Sequence, residues 1–133
     1  MPVIRKEIRH AIVNLMKNIP GVTVYSSRVY PISELPSISV YTTEELVDEE
    51  LITMAGDDTK RIVSVSIDII NKASIDLDDS LDDIAYLVEQ EISANNDLNG
   101  LVSCLQYSET TTELSADSEM AVGVSKLTYI ATN

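Results

Sequence analysis

The chain has 133 residues and a formal net charge of −13, and it contains neither Trp nor Phe. This length corresponds to one domain that buries about two-thirds of its unfolded surface, and its core must be built from Ile, Val, Leu and Tyr. The single cysteine, Cys104, excludes an internal disulfide and fits a reducing compartment. We expect a soluble, intracellular protein without membrane contact, because the N-terminus lacks a signal-peptide core and no stretch approaches the roughly 18 apolar residues of a transmembrane helix.

The charge is unevenly distributed along the chain. Residues 1–33 carry five basic residues against Glu7 alone, a net charge of +4, whereas residues 34–133 carry four basic residues against 21 acidic ones, a net charge of −17. An acidic surface repels phosphate backbones, which argues against sequence-specific DNA binding. Two interpretations of the asymmetry stay open. A basic patch on one copy could meet an acidic patch on the next, or both faces could simply be solvated.

Hydrophobic periodicity predicts a first helix from about Val3 to Asn18, which the sequence Ile19-Pro20-Gly21 ends. His10 falls on the side of this helix away from the apolar stripe, where an isolated histidine usually has no function. Val22 to Tyr25 and Val29-Tyr30 follow as a first, broken strand.

The middle of the chain predicts a hairpin with a long connection. Pro31 to Pro36 form a turn-rich link, and Ser37 to Thr42 alternate as a second strand that pairs with the strand starting at Arg61. Between them, Thr43 to Lys60 form a long acidic arm with interspersed aliphatic residues and a Gly56-Asp57-Asp58 turn. Connections of this length tend to be functional or mobile. The arm is either a partner-binding extension or an extended hairpin that folds back on its own sheet.

The segment from Arg61 to Ser93 has the clearest pattern. Ile62 to Ile69 alternate as a half-buried strand, with Val63, Val65, Ile67 and Ile69 on one face and Ser64, Ser66 and Asp68 on the other. A helical stripe then predicts the second helix, and its members are Leu81, Ile84, Ala85, Val88 and Ile92. Its N-cap candidates are Asp76, Asp78, Asp79 and Ser80.

The remaining elements complete an α+β pattern. Ala94 to Asp97 and Asn99-Gly100 end the second helix. Leu101 to Glu109 predict a fourth strand, Thr110 to Ser118 a polar link, and Glu119 to Ile130 a last strand in which Gly123 marks a bulge. The order α-β-β-β-α-β-β predicts a two-layer sandwich, with a mainly antiparallel sheet of about five strands and both helices on one face.

The sequence offers little that could carry chemistry. The acidic run from Asp76 to Asp83 places oxygen-bearing residues alternately, as an EF-hand does, but Leu81 replaces the required Gly and Leu87 the bidentate Glu. Helix N-terminus residues are therefore the main interpretation, with weak divalent binding as the minor one. His10 and Cys104 are far apart in sequence, and no phosphate-binding loop or zinc ligand set is present. We predict a protein that is not an enzyme and has no metal, cofactor or catalytic residue.

Several segments together resemble a known family. They are the N-terminal amphipathic helix, Arg28-Val29-Tyr30-Pro31, Leu35-Pro36-Ser37-Ile38-Ser39-Val40-Tyr41, Arg61 at the start of the Val/Ile strand, and Leu77 to Ile84 at the start of the helix. In this order they resemble the tail terminator proteins, minor tail proteins of long-tailed phages and prophages, over nearly the full chain. The matched features are packing and turn residues.

The resemblance implies a structural virion protein at the head-proximal end of the tail, assembled in the bacterial cytoplasm. Such proteins form a ring, typically a hexamer, on the tail tube, stop its polymerisation and provide the head-attachment surface. The implied partners are further copies, the tail-tube protein and a head-completion or connector protein, and DNA passes through the ring without specific binding.

The predicted interface combines charged residues with aliphatic residues of the arm. Its candidates are Arg5, Arg9, Lys17, Arg28, Glu44, Glu45, Asp48, Glu49, Leu51 and Met54. The alternative functions are another neck, tail-completion or baseplate component, or a small acidic inhibitor or adaptor.

Overall fold

The structure, a computed structural model, describes residues 4–27, 35–47, 61–73, 76–117 and 120–132. The elements in these ranges are α1 (Ile4–Met16), β1 (Thr23–Tyr25), β2 (Ser37–Val47), β3 (Arg61–Ala73), α2 (Leu77–Ala94), β4 (Cys104–Asp117) and β5 (Met120–Thr132). This order confirms the predicted sequence of helices and strands and the α+β class.

The five strands form one mixed sheet in the order β1-β2-β3-β5-β4. β1 pairs in parallel with β2, and the other neighbours are antiparallel. The predicted pairing of β2 with β3 is confirmed, and Val40 lies opposite Ile67. This register keeps the apolar residues of both strands on one face, which is what fixes strand pairing when that face is buried.

The apolar face of β3 forms the centre of the core. Its predicted members Val63, Val65, Ile67 and Ile69 are all fully buried. They belong to one hydrophobic cluster with Ile8, Ile12 and Met16 of α1 and with Leu81, Val88 and Ile92 of α2. α1 contacts β1 and β2, α2 contacts β3 and β5, and the two helices contact each other. We call the sheet face in this cluster the inner face and the opposite one the outer face.

Two strands are longer than predicted. β2 continues through Val47, so residues 43–47 of the predicted arm are strand, and the register shifts between Thr42 and Glu44. β4 begins at Cys104 and continues to Asp117, so the predicted polar link of residues 110–118 is wrong. Residues 108–113 are all exposed, and they form a strand because β-branched Thr110, Thr111 and Thr112 favour extended backbone and pair with β5.

The predicted bulge at Gly123 is also wrong. Gly123 pairs with Asn71 in an unbroken β3–β5 register. The irregularity lies in β4, between Tyr107 and Glu109. Val29-Tyr30, most of the link from Pro31 and the Gly56-Asp57-Asp58 turn lie outside the described residues.

α2 begins four residues before the predicted stripe, at Leu77. Asp76 occupies the N-cap position with φ 59°, but its side chain makes no capping hydrogen bond. Asp78, Ser80 and Asp82 therefore lie within a helix, where Ser80 points away from the side shared by Asp78 and Asp82, so the calcium-loop interpretation is wrong. After the helix, Gly100 has φ 88°, a left-handed conformation that favours glycine. No helix in the described ranges has both the length and the apolarity to cross a membrane.

Candidate functional site

The structure pairs two of the predicted interface residues within one chain. Arg5 lies in the first turn of α1, and Glu45 lies near the end of β2, opposite Val63 on the inner face. Arg5 Nη1 and Glu45 Oε2 are 3.2 Å apart. One of the two open interpretations of the charge asymmetry placed such basic and acidic residues on patches of different copies. The structure shows instead that they can satisfy each other in one subunit.

Three of the other predicted interface residues lie in the described part of the chain. Arg9 is half-buried and its Nε has no hydrogen-bond partner among the described residues, whereas Lys17 and Glu44 are exposed. Arg28, Asp48, Glu49, Leu51 and Met54 lie outside the described residues. A role of these residues in an interface stays a prediction.

One side of α1 is exposed and basic. Lys6, His10 and Lys17 are all exposed and lie within about 40° of one another at 100° per residue. Lys17 continues the helical turn, because its N–H donates to the Val13 carbonyl oxygen at 3.1 Å. We call these three residues the α1 basic stripe. Since Ala11 and Leu15 on the far side of α1 border the loop after α2, the stripe lies away from α2, at the β1 edge of the sheet.

The opposite edge of the sheet carries an acidic groove. α2 packs on β3 and β5, and β4 continues beyond it as an edge strand, which leaves a groove between α2 and β4. One cavity in this groove, of about 270 Å³, lies between Glu89, Ile92, Ser93 and Asn96 on one side and Leu105, Tyr107 and Tyr129 on the other. A second cavity, of about 380 Å³, is lined by Asp78, Leu81, Asp82 and Thr112. We call the whole feature the α2–β4 groove.

The electrostatics of the groove favour a cation. α2 has six acidic residues and no basic one. Burial raises the pKa of Tyr129, and the nearby charge of Glu89 raises it further. Tyr107 is 49% exposed, and its ring lies edge-on to that of Tyr129 with centroids 5.7 Å apart. A carboxylate next to an exposed aromatic ring, that of Tyr107, provides both an ion-pair partner and a cation–π surface for Lys or Arg.

The outer face of the sheet contains a buried carboxylate. Asp68, in the centre of β3, is fully buried. The Tyr41 hydroxyl donates to its Oδ2 at 2.7 Å, and the Ser66 hydroxyl donates to its Oδ1 at 2.9 Å. Lys126 hydrogen-bonds Tyr41, and this bond raises the pKa of Lys126. The predicted polar face of β3 is therefore buried at its centre, where its carboxylate is satisfied by hydrogen bonds.

With the fold and surfaces established, the chain can be compared with known proteins. The family model for phage minor tail protein U matches residues 3–132. The chain belongs to this family. It is therefore a structural protein of the phage tail and is located in the virion, which confirms the predicted resemblance to phage minor tail proteins.

Other comparisons with this minor tail protein are more distant. A chain in the solved structure of the virion of a native gene transfer agent particle aligns with a TM-score of 0.46 and 9% identity, covering 95% of each chain. No curated protein sequence matches the chain.

Family membership points away from an enzyme, and the structure does not bring the reactive residues together. His10 is exposed on α1, which packs on the inner face. Cys104 starts β4 opposite Thr132, and Thr132 lies opposite Ile62, on the outer face. The sheet thus separates the two side chains. Within the described ranges, no group of three His, Cys, Asp or Glu residues is arranged to hold a metal ion.

Sequence reasoning missed the α2–β4 groove. Its acidic wall combines Asp78, Asp82 and Glu89, which share one side of α2 because they are four and seven residues apart. This spacing could have been used to predict the acidic wall from the sequence. The aromatic wall was not predictable, because Tyr107 and Tyr129 become neighbours only through the pairing of β4 with β5.

Proposed function

We propose that this minor tail protein forms a closed head-to-tail ring, a hexamer, on the last ring of tail-tube subunits. In that position it stops tail polymerisation and provides the surface to which a head-completion or connector protein attaches. Membership of the minor tail protein U family over residues 3–132 supports a structural role in the tail, from which this proposal starts.

The placement of charge at the two edges of the sheet carries the proposal. A head-to-tail ring requires two different, complementary surfaces on each subunit. The α1 basic stripe lies at the β1 edge, and the acidic α2–β4 groove lies at the β4 edge. Opposite charges on opposite edges suit a subunit that repeats around a ring, because each copy presents one surface to each neighbour.

The overall charge is compatible with DNA passage. With a net charge of −13, the protein as a whole repels the phosphate backbone. A ring of such subunits lets DNA pass without binding it specifically.

The acidic arm of residues 43–60 is proposed to contact a neighbouring subunit or the tail tube. Support comes from the part of the arm within β2. Leu46 is 51% exposed near the end of this strand, and Glu44 is exposed as well. An exposed apolar side chain among acidic residues is a reasonable contact for a partner protein.

Electron microscopy of tails assembled without this protein tests the proposed function. Overlong tails are expected, because nothing stops polymerisation of the tube, and expression of the wild-type protein restores the normal length. Headless tails of normal length would instead indicate a head–tail joining protein. Normal tails, together with a monomer that titrates a basic partner, would indicate an acidic adaptor.

A further inference from the structure

The α1 basic stripe and the α2–β4 groove have matching dimensions. Lys6 and Lys17 are 11 residues apart on one side of α1, which is about 16 Å along a helix axis. Asp78 and Glu89 are also 11 residues apart on one side of α2, and they mark the two cavities of the groove. Two cations on one helix can therefore face two carboxylate sites on the other at the same time.

The charges of both surfaces are available for a partner. Within the described residues, Arg5 and Glu45 form an ion pair, whereas Lys6, Lys17, Asp82 and Glu89 form none. Both lysines are exposed, and so are Asp82 and Glu89. An ion pair between such groups gains most when a partner also excludes water from it.

The groove combines its acidic residues with aromatic and apolar ones, which distinguishes it from an acidic face that only contacts solvent. Tyr107 is half-exposed, and Leu105 and Ile92 form an apolar floor beneath Glu89 and Ser93. A lysine side chain fits this arrangement, because its aliphatic stem can cover apolar surface while its ammonium group meets a carboxylate. An arriving neighbour would also cover β4, a strand of 14 residues at the edge of the sheet.

We propose that the α2–β4 groove is the seat for the α1 basic stripe of a second copy of this chain. The lysines at the two ends of the stripe enter the two cavities, one next to Asp78 and Asp82 and the other next to Glu89 and Tyr107. Each copy offers its stripe to one neighbour and its groove to the other, so the contact is heterologous and can close a ring. This inference rests on the proposed ring and identifies the surfaces that form it.

Two charge-reversed variants test this contact. Lys6→Glu/Lys17→Glu reverses the stripe, and Asp82→Lys/Glu89→Lys reverses the groove. Each variant alone is expected to weaken assembly by at least about tenfold, because like charges then face each other. All four positions are exposed, so circular dichroism and the urea midpoint of unfolding should match the wild type.

Mixing the two variants gives the most specific readout. The stripe variant keeps an intact groove and the groove variant keeps an intact stripe, and the two reversed surfaces are complementary to each other as well, so both contacts can form between alternating copies. Native mass spectrometry is expected to show that the mixture regains the wild-type oligomer, with the two variants present in equal numbers. A chain carrying all four reversals should again form the wild-type oligomer, because its two surfaces are complementary once more.

Matched controls separate this contact from a general effect of charge. Asp83→Lys changes an exposed residue that lies about 100° around α2 from Asp82, outside the groove lining, and Lys72→Glu changes an exposed residue at the end of β3. Both controls should assemble as the wild type does. If both reversed variants still form the wild-type ring, or if their mixture stays monomeric, this inference is overturned and the proposed ring stands. A wild-type protein that stays monomeric overturns both.

Discussion

Replacing Tyr41 with Phe tests the buried hydrogen bonds on the outer face. The Tyr41 hydroxyl donates to Asp68 Oδ2 at 2.7 Å, and Asp68 is fully buried. Phe keeps the ring and opens no large cavity, so the loss is mainly that of a hydrogen bond to a buried carboxylate, about 1.5–3 kcal/mol. With a urea m-value of about 2 kcal/mol per molar, the unfolding midpoint should fall by about 1 M while the m-value stays unchanged.

Tyr86 provides the matched control for this substitution. Its hydroxyl also has a hydrogen bond, from Gln90 Nε2 at 2.6 Å, but the residue is 58% exposed. Tyr86→Phe should therefore change the unfolding free energy by no more than about 0.5 kcal/mol. Equal midpoints for the two variants would refute the argument that burial makes the Tyr41–Asp68 bond important.

A second readout reports on the same network. Lys126 hydrogen-bonds Tyr41, which raises the pKa of Lys126 above 10.5 against the lowering effect of its partial burial, and the charges of Asp68 and Glu113 raise it further. In Tyr41→Phe this pKa should move down, which NMR titration of the Lys126 side chain can measure. An unchanged titration midpoint would show that Tyr41 does not bond to this lysine.

Three further predictions concern the core, alkaline pH and the start of the arm. Leu81→Ala should lower the free energy of unfolding in urea by about 2–5 kcal/mol, because Leu81 is fully buried. Leu87 lies on the same helix but is 37% exposed, so Leu87→Ala should lower it by less than about 1 kcal/mol. Similar losses for the two variants would contradict the assigned helix face. Burial raises the pKa of Tyr129, so this tyrosine deprotonates first in the unfolded chain, and its contribution to the unfolding free energy should be constant below pH about 10 and fall above it. Lys126, whose pKa is also raised, adds to that loss, and a Tyr129→Phe variant with the same alkaline slope as the wild type would argue against the assignment. Leu46→Ser should change the unfolding free energy by no more than about 0.5 kcal/mol but reduce oligomer yield in native mass spectrometry, and an unchanged yield would remove Leu46 from the proposed contact.

Periodicity predicted the parts of the fold that the core determines. β3 has two-residue alternation and α2 has a helical stripe, and the apolar residues of both elements pack together as predicted. Patterns of this kind arise because burial selects one face of an element. The same reasoning failed for residues 110–117, where the exposed part of β4 begins with three Thr residues and shows no clear apolar alternation. The run of Thr residues was the signal that could have indicated this strand.

The surfaces could be predicted only in part. The acidic residues of α2 are apparent in the sequence, whereas the aromatic side of the groove depends on the pairing of β4 with β5. The Arg5–Glu45 ion pair and the burial of Asp68 likewise depend on residues that are far apart in sequence. Charge composition alone could not predict the pairing of Arg5 with Glu45, because it contains no information about the packing of α1 against the end of β2.

Native mass spectrometry of the wild-type protein over a series of salt concentrations tests the proposed ring most directly. We predict a single closed oligomer of defined mass, a hexamer, at low ionic strength, which dissociates as salt weakens the contact between the α1 basic stripe and the α2–β4 groove. A monomer at every ionic strength would contradict the account. A series of masses that lengthens with protein concentration would contradict it as well, because it would mean that the subunits do not close into a ring.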